Sequence, residues 1–481
     1  MKILFASAEA APFFKTGGLG DVSYVLPKAL KAQGIDVRVV LPYYTLMPEE
    51  YKEACEDLLN FQVEMGYQRQ AYVGIKRLVL DDLTYYFVDN LDYFNRPSLY
   101  GYEDDCERFA FFDLAVIEMM EKVDFIPNII HVNDWQTAMI PALLVDKYHW
   151  VEAYRDIRKV LTIHNIQFQG WTDKEALYSY FNTTDATFHD KGCEHYGAVN
   201  YLKGGINFSD IVTTVSPRYA GEIQTPEFGE GLDACLRDNH FKIRGIINGI
   251  DYDLNNPKTD PNLAVNYDAQ TVQSAKLKNK IKLQERVGLV KDPDAALLGV
   301  VSRLTPQKGM QLLQEKAEEL LNTRRVQVLV LGTGDDEFEH SFRYFEHKYP
   351  GRFCAYIDFD VHLAQEIYAG SDLFLMPSAF EPCGLSQMIA MRYGTLPLVH
   401  EVGGLADTVE PYNHFTGEGT GFSFNQFNGR DFLKNVNYAV DVYEHDKKAW
   451  QGLIQEAMSR DFSWQGPAED YIQVYQSLLE A

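Results

Sequence analysis

Three short segments hold most of the residues able to do chemistry. Lys15-Thr16-Gly17-Gly18-Leu19-Gly20-Asp21 follows an apolar run, Ile3 to Ser7, and leads into a helical pattern, Val22 to Gln33. A strand, a glycine-rich turn and a helix start let backbone N–H groups approach an anion; the helix dipole favours negative charge and a lysine adds a full positive one. The same glycines also suit the plain turn that a doubly wound sheet needs. In the second half, Val301-Ser302-Arg303-Leu304-Thr305-Pro306-Gln307-Lys308-Gly309 follows another apolar run, so that Arg303 and Lys308 flank a loop before a helix. Arginine grips phosphate oxygens in a bidentate way and lysine acts as a point charge; the plainer reading is a solvated lysine and an interdomain ion pair. Ser378-Ala379-Phe380-Glu381-Pro382-Cys383-Gly384-Leu385-Ser386-Gln387 also lies between a buried run and a helix. Glu381 sits there at a strand's carboxyl end, where charged residues serve ligands, and the amides of Gly384 to Ser386 open the helix. A loop salt bridge is the alternative role for Glu381.

Two polar clusters close apolar runs in the first half: His131-Val132-Asn133-Asp134-Trp135 and Leu161-Thr162-Ile163-His164-Asn165. Asp134 beside Trp135 suits a sugar, whose hydroxyls need fixed acceptors and whose apolar face can lie on an indole; a core tryptophan with a helix-capping aspartate is the plainer reading. Tyr93 to Tyr102 is a dense aromatic patch that suits a polysaccharide, although core packing explains most aromatics.

These clusters need a scaffold that presents strand ends. The runs Val37 to Leu41, Thr84 to Val88, Ile129 to Val132, Val160 to Ile163 and Ile211 to Val215 read as buried parallel strands, with helical patterns at Phe109 to Lys122 and Trp135 to Tyr148. The second half repeats the plan with Leu297 to Ser302, Val326 to Gly332, Phe353 to Ile357, Leu373 to Met376 and Leu396 to Val399, helices lying between them. Gly249 to Pro261, rich in Asp, Asn and Pro, reads as the connection, and Ala468 to Ala481 as a tail helix. The fold class is thus α/β with two Rossmann-like domains facing a deep cleft: 1–245, 246–460, and a C-terminal helix over 461–481.

Bulk properties narrow the ligand. A chain of 481 residues with 46% hydrophobic and 23% charged residues fits a globular protein of two or three domains. A net charge of −25 argues against nucleic acid or an anionic membrane as partner, so any phosphate site must be local. The 6 cysteines lie far apart without a CxxC pair, which suits reduced thiols and speaks against a structural metal. With no apolar run long enough to span a membrane and no signal peptide, a cytoplasmic location is expected.

Taken together, the KTGGLGD segment, Val301 to Gly309 and Glu381-Pro-Cys-Gly-Leu resemble bacterial glycogen synthase and plant starch synthase, retaining glucosyltransferases that use ADP-glucose. His131 to Trp135, His164-Asn165, Ile247 to Asp251 and Val402-Gly403-Gly404-Leu405-Ala406-Asp407 support the resemblance across most of the chain. It implies a GT-B architecture whose terminal helix returns to the first domain, no metal or other cofactor, and transfer of glucose to the non-reducing end of an α-1,4-glucan such as glycogen. It further implies that Lys15, Arg303 and Lys308 hold the donor diphosphate, helped by Gly18 and the amides near Leu385. His164, Asn248, Asp134 and Glu381 would surround the transferred glucose, and Phe359 would lie against the adenine. The expected catalytic set is Glu381, His164, Arg303, Lys308 and Lys15; Asp21, Cys383, Gly384 and Leu385 join the donor-binding residues. Many related retaining transferases carry a second glutamate eight residues after the first, whereas this chain has Ile389, a departure shared by the glycogen synthase branch.

Three rivals compete with this reading. A nicotinamide dehydrogenase is disfavoured because the opening loop lacks GxGxxG and the second strand ends in Pro42-Tyr43-Tyr44 where a ribose-binding acid belongs. A non-catalytic glucan-binding protein has no use for phosphate sites in both halves. A transferase for UDP-glucose or another nucleotide sugar stays open, because motifs do not define the base pocket.

Overall fold

The computed structural model describes residues 1–480, and the chain divides into two compact units. The first comprises Met1–Asn248 with the C-terminal segment from Trp464 on, and the second Gly249–Ser463.

In the first unit the strands are β1 (Lys2–Ala6), β2 (Asp36–Pro42), β3 (Glu56–Met65), β4 (Arg69–Leu80), β5 (Leu83–Asp89), β6 (Ile129–Asn133), β7 (Arg158–Ile163), β8 (Trp171–Thr172), β9 (Glu194–His195), β10 (Ala198–Asn200), β11 (Ile211–Thr214) and β12 (Ile243–Gly245). A 9-stranded sheet runs in the order β12-β11-β7-β6-β1-β2-β5-β4-β3, and β8-β10-β9 form a small antiparallel sheet. Ile3 to Ala6 are fully covered, as expected of a parallel strand buried on both faces. β1 pairs in parallel with both β2 and β6, and the chain builds outward first on one side and then on the other. The carboxyl ends of β1 and β6 therefore flank the topological switch point, where open α/β sheets bind ligands.

The hairpin β3–β4, which continues the sheet beyond β5 in antiparallel fashion, is absent from the sequence-based reading. Its outer strand is largely exposed and polar, with Glu56, Asp57, Asn60 and Glu64, and so lacks the continuous apolar run by which parallel strands are recognised. In place of a single helix over Trp135 to Tyr148, the chain forms a 3₁₀ turn at Trp135–Thr137 followed by a short helix, Met139–Val145.

The second unit holds β13 (Ala296–Val301), β14 (Val326–Leu331), β15 (Phe353–Tyr356), β16 (Leu373–Met376), β17 (Leu396–His400) and β18 (Phe422–Phe424). All pair in parallel in the order β15-β14-β13-β16-β17-β18, the strand sequence 3-2-1-4-5-6 of a dinucleotide-binding sheet. Its switch point lies between β13 and β16, directly before Ser302-Arg303 and Pro377-Ser378. Residues 249–261 carry neither helix nor strand.

The terminal helix, Gln465–Glu480, buries Ala468, Tyr471, Tyr475 and Leu478, a stripe at helical spacing. The Tyr475 hydroxyl lies 2.7 Å from His131 Nδ1, whose Nε2 lies 2.6 Å from Thr162 Oγ1. This buried chain ties the helix to β6 and β7 within the first unit. The tail-helix reading extends to Ala481, which lies outside the described residues. No helix among the described residues is long and apolar enough to cross a membrane.

Candidate active site

In the first unit the helix after β1 starts at Gly18, four residues before its apolar pattern, so Gly18 to Gly20 form its first turn rather than a free loop. Three of the amides in this segment are already in use. Glu9, 2% exposed, accepts hydrogen bonds from the backbone N–H of Thr16 (3.1 Å), Gly17 (3.3 Å) and Gly20 (3.0 Å). It also accepts from the hydroxyls of Thr16 (2.7 Å) and Tyr100 (3.2 Å). The cradle is therefore partly filled by an internal carboxylate, which takes the amides of Thr16, Gly17 and Gly20. Exposed Lys15 makes a 2.7 Å ion pair with Asp21.

At the carboxyl end of β6, Asp134 adopts φ 54° and ψ −172°, a conformation that costs a non-glycine residue about 1–3 kcal/mol. Its carboxylate does not cap the following turn. It accepts instead from the His164 amide at 2.7 Å, and the Asn165 amide adds a second bond. Burial still pushes its carboxyl up to about 7, with the nearby Glu9 charge adding to the shift. Burial likewise depresses the His164 imidazole to about 3, so it is neutral near pH 7. Asn133 Nδ2 donates to the Ala6 carbonyl at 3.0 Å, which leaves Asn133 Oδ1, 2.9 Å from His164 Nε2, as the acceptor. His164 is thus the Nε2–H tautomer with an unprotonated Nδ1. Beyond β12, Asn248 is 5% exposed and its Oδ1 has no hydrogen-bond partner among the described residues.

Trp135 is not a sugar platform. It is 9% exposed, packs against Phe109 and Tyr201, and lies so close to Gly170 that a side chain at that position would strike the indole. The aromatic patch is also mostly internal: Phe94 is core, Tyr93 bonds Glu107, and Tyr100 holds Glu9.

In the second unit the switch-point crevice is a cavity of about 200 Å³ lined by Ser302, Arg303, Lys308, Met376, Ser378 and Ser386, among others. Lys308 ends a 3₁₀ turn, Pro306–Lys308, and Gly309 follows at φ 73° with the Pro377 carbonyl where a Cβ would stand, which pins the loop after β13 to the loop after β16. Lys308 Nζ contacts Glu381 Oε2 at 2.6 Å, and Ser378 Oγ donates to the same oxygen at 3.1 Å. Glu381 is 6% exposed, and its carbonyl occupies the space that a side chain at Gly403 would need. The VGGL turn therefore exists to seat Glu381-Pro382-Cys383. Gln387 holds this segment by donating to the carbonyls of Cys383 and Gly384. Arg303 is exposed at the cavity wall and, apart from a long contact to Gln307, keeps its guanidinium available. Phe359, 80% exposed, stands beyond the carboxyl end of β15. Sequence reasoning missed Glu9 and Tyr100; the only signal was an acid interrupting an apolar run eleven residues before Gly20.

Each unit thus gathers charged and polar side chains at its own switch point. Comparison with known proteins gives the same assignment: residues 2–238 match the starch synthase catalytic domain and residues 282–451 match glycosyl transferases group 1. Two helix-connected, mainly parallel sheets with this equipment define a glycosyltransferase of the GT-B type. The chain is 54% identical over 481 residues to a glycogen synthase of Ligilactobacillus salivarius, with 100% of both chains covered. It is 54% identical over 479 residues to that of Streptococcus gordonii, again over 100% of each. Among solved structures, the catalytic domain of Starch Synthase IV from Arabidopsis thaliana, bound to ADP and acarbose, superposes with a TM-score of 0.91 at 34% identity, covering 100% of this chain and 99% of that one. Sucrose-phosphate synthase from Thermosynechococcus elongatus, at 15% identity and a TM-score of 0.61, shares the fold. The chain belongs to the glycogen synthase and starch synthase family. It is a glycosyltransferase with glycogen synthase activity.

Proposed function

We propose that the donor is ADP-glucose and that glucose passes to the non-reducing end of an α-1,4-glucan with retention of configuration, in the cytoplasm. The carrying observation is the crevice of the second unit, where Arg303 and Lys308 line one cavity and Lys308 pairs with the buried Glu381. The ADP bound with acarbose in the Arabidopsis relative supports adenine as the base, and exposed Phe359 offers a ring for it.

In this reading the C1–O bond to the β-phosphate breaks, and negative charge grows on the departing ADP. Arg303 and Lys308 meet that charge, and Lys15 is taken as a further cation for the diphosphate. The acceptor hydroxyl attacks C1 from the same face and gives its proton to the leaving phosphate, so configuration is kept without a covalent enzyme ester. Glu381, held by Lys308 and Ser378, stabilises positive charge at the sugar centre. His164 is neutral and acts as a hydrogen-bonding group, while the Asp134 carboxylate and the unpartnered Asn248 oxygen accept sugar hydroxyls. Removing Arg303 deletes one charged donor, about 3 kcal/mol or two orders of magnitude in rate. Arg303→Ala with full turnover, or a glucosyl ester trapped on Glu381, would overturn the mechanism.

A further inference from the structure

The glycine-rich segment carries an anion of its own. Glu9 lies on the stretch after β1, and Ser7 holds its backbone from both sides: Ser7 Oγ donates to the Glu9 carbonyl at 3.0 Å and accepts from the Glu9 amide at 3.4 Å. Ser23 Oγ, from the following helix, donates to Ser7 Oγ at 2.8 Å. From this fixed base the carboxylate takes three backbone N–H groups and two hydroxyls, contributed by residues 16 to 20 and by Tyr100. An ionised carboxylate is acceptor-only, with about four lone-pair sites, so these five donors use its full accepting capacity. Lys15 directly precedes this set in the chain, and its Cβ and Cα pack where a Cβ at Gly20 would stand.

We propose that Glu9 is a positioning residue for the transferase reaction, a built-in anion that latches Thr16, Gly17 and Gly20 and so fixes where Lys15 and the Gly18 amide meet the donor. This rests on the assignment of Lys15 to the donor diphosphate. The latch reverses the usual use of a glycine-rich helix start. The amides of Thr16, Gly17 and Gly20 serve the protein, and donor charge falls to the Lys15 ammonium and the N–H groups Glu9 does not take. Burial raises the Glu9 carboxyl above its ordinary range, opposed by the bonds from Thr16, Tyr100 and Gly20. The groups facing it are these donors together with the charge of Asp134 and the phenol of Tyr44.

The test compares wild type, Glu9→Gln, Lys15→Ala and the double variant as full chains. Glutamine keeps the shape but turns an NH₂ group toward N–H and O–H donors. Glu9→Gln should lower turnover by roughly one to two orders of magnitude, as misplacement of a positioned group does, and leave KM for glycogen unchanged. Hydrogen exchange at residues 16–20 should become at least about tenfold faster, since the amides lose their acceptor. The double variant should turn over within about threefold of Lys15→Ala alone, because Glu9 acts through that segment; a purely structural role would multiply the two effects. Unchanged exchange at residues 16–20, wild-type turnover in Glu9→Gln, or multiplying effects would each overturn the proposal. Full turnover in Lys15→Ala would instead overturn the assignment of Lys15, and the exchange measurement would still decide whether the latch exists.

Discussion

Replacing Lys308 by methionine removes a charge and keeps most of the volume, so its effect depends on how Glu381 copes without a partner. The variant strips Glu381 of its 2.6 Å cation and leaves it only the Ser378 hydroxyl at 3.1 Å, in a site where the carboxylate is nearly fully covered. Leaving such a charge unpaired costs about 3–5 kcal/mol. Lys308→Met should therefore destabilise the chain by about 3–5 kcal/mol. Urea unfolding measures this directly. Adding Glu381→Gln should restore most of the stability while turnover falls below that of Lys308→Met, because on the proposed mechanism the double variant lacks both the phosphate cation and the carboxylate at the sugar centre. Wild-type stability in Lys308→Met, or turnover close to wild type, would refute the reasoning.

The same geometry sets other outcomes. Burial holds His131 down at about 3 between Tyr475 and Thr162. The unfolded chain therefore binds a proton there below about 6.5, and stability from this group falls with acidification, by about 2 kcal/mol at pH 5. The denaturant midpoint of His131→Gln should lose that part of its pH slope; an unchanged slope would contradict the burial. Because the Asp134 carboxyl sits at about 7, kcat/KM for the donor should show an acid limb near pH 7 that Asp134→Asn lacks. A wild-type profile flat down to about pH 5.5 would remove Asp134 from the mechanism. Gly403→Ala places a Cβ on the Glu381 carbonyl and should lower turnover at least about tenfold, whereas Gly417→Ala, at φ 80° with open space around it, should cost about 1 kcal/mol of stability and leave turnover unchanged. Equal effects on turnover would show that the VGGL turn does not seat Glu381.

Much of the scaffold is written in the apolar runs. Val326 to Gly332 exceeds β14 by a single residue and Phe353 to Ile357 exceeds β15 by one, because parallel strands buried on both faces leave an uninterrupted signal. The β3–β4 hairpin carries no such signal, since its outer strand meets water and alternates. At the site, Arg303, Lys308 and Glu381 were legible because charged residues stand directly after apolar strands. Which charges oppose one another was not: the Lys308–Glu381 pair joins residues 73 apart in sequence, through a loop contact that Gly309 permits. The Glu9 latch was hidden because its partners are backbone amides, which have no sequence identity. Trp135 was ambiguous for the opposite reason, since an indole at a strand end fits a core and a sugar equally until its neighbours Phe109 and Tyr201 are known.

The most direct test is a paired assay of ADP-glucose and UDP-glucose with glycogen as acceptor, measuring nucleotide release and chain extension together. ADP-glucose should extend the glucan with kcat/KM at least about tenfold above UDP-glucose, the discrimination that roughly 1.4 kcal/mol of base contact supplies, and with one nucleotide released per glucose added. Equal use of both donors would contradict the assignment of the base, and nucleotide release without chain extension would contradict the transferase mechanism.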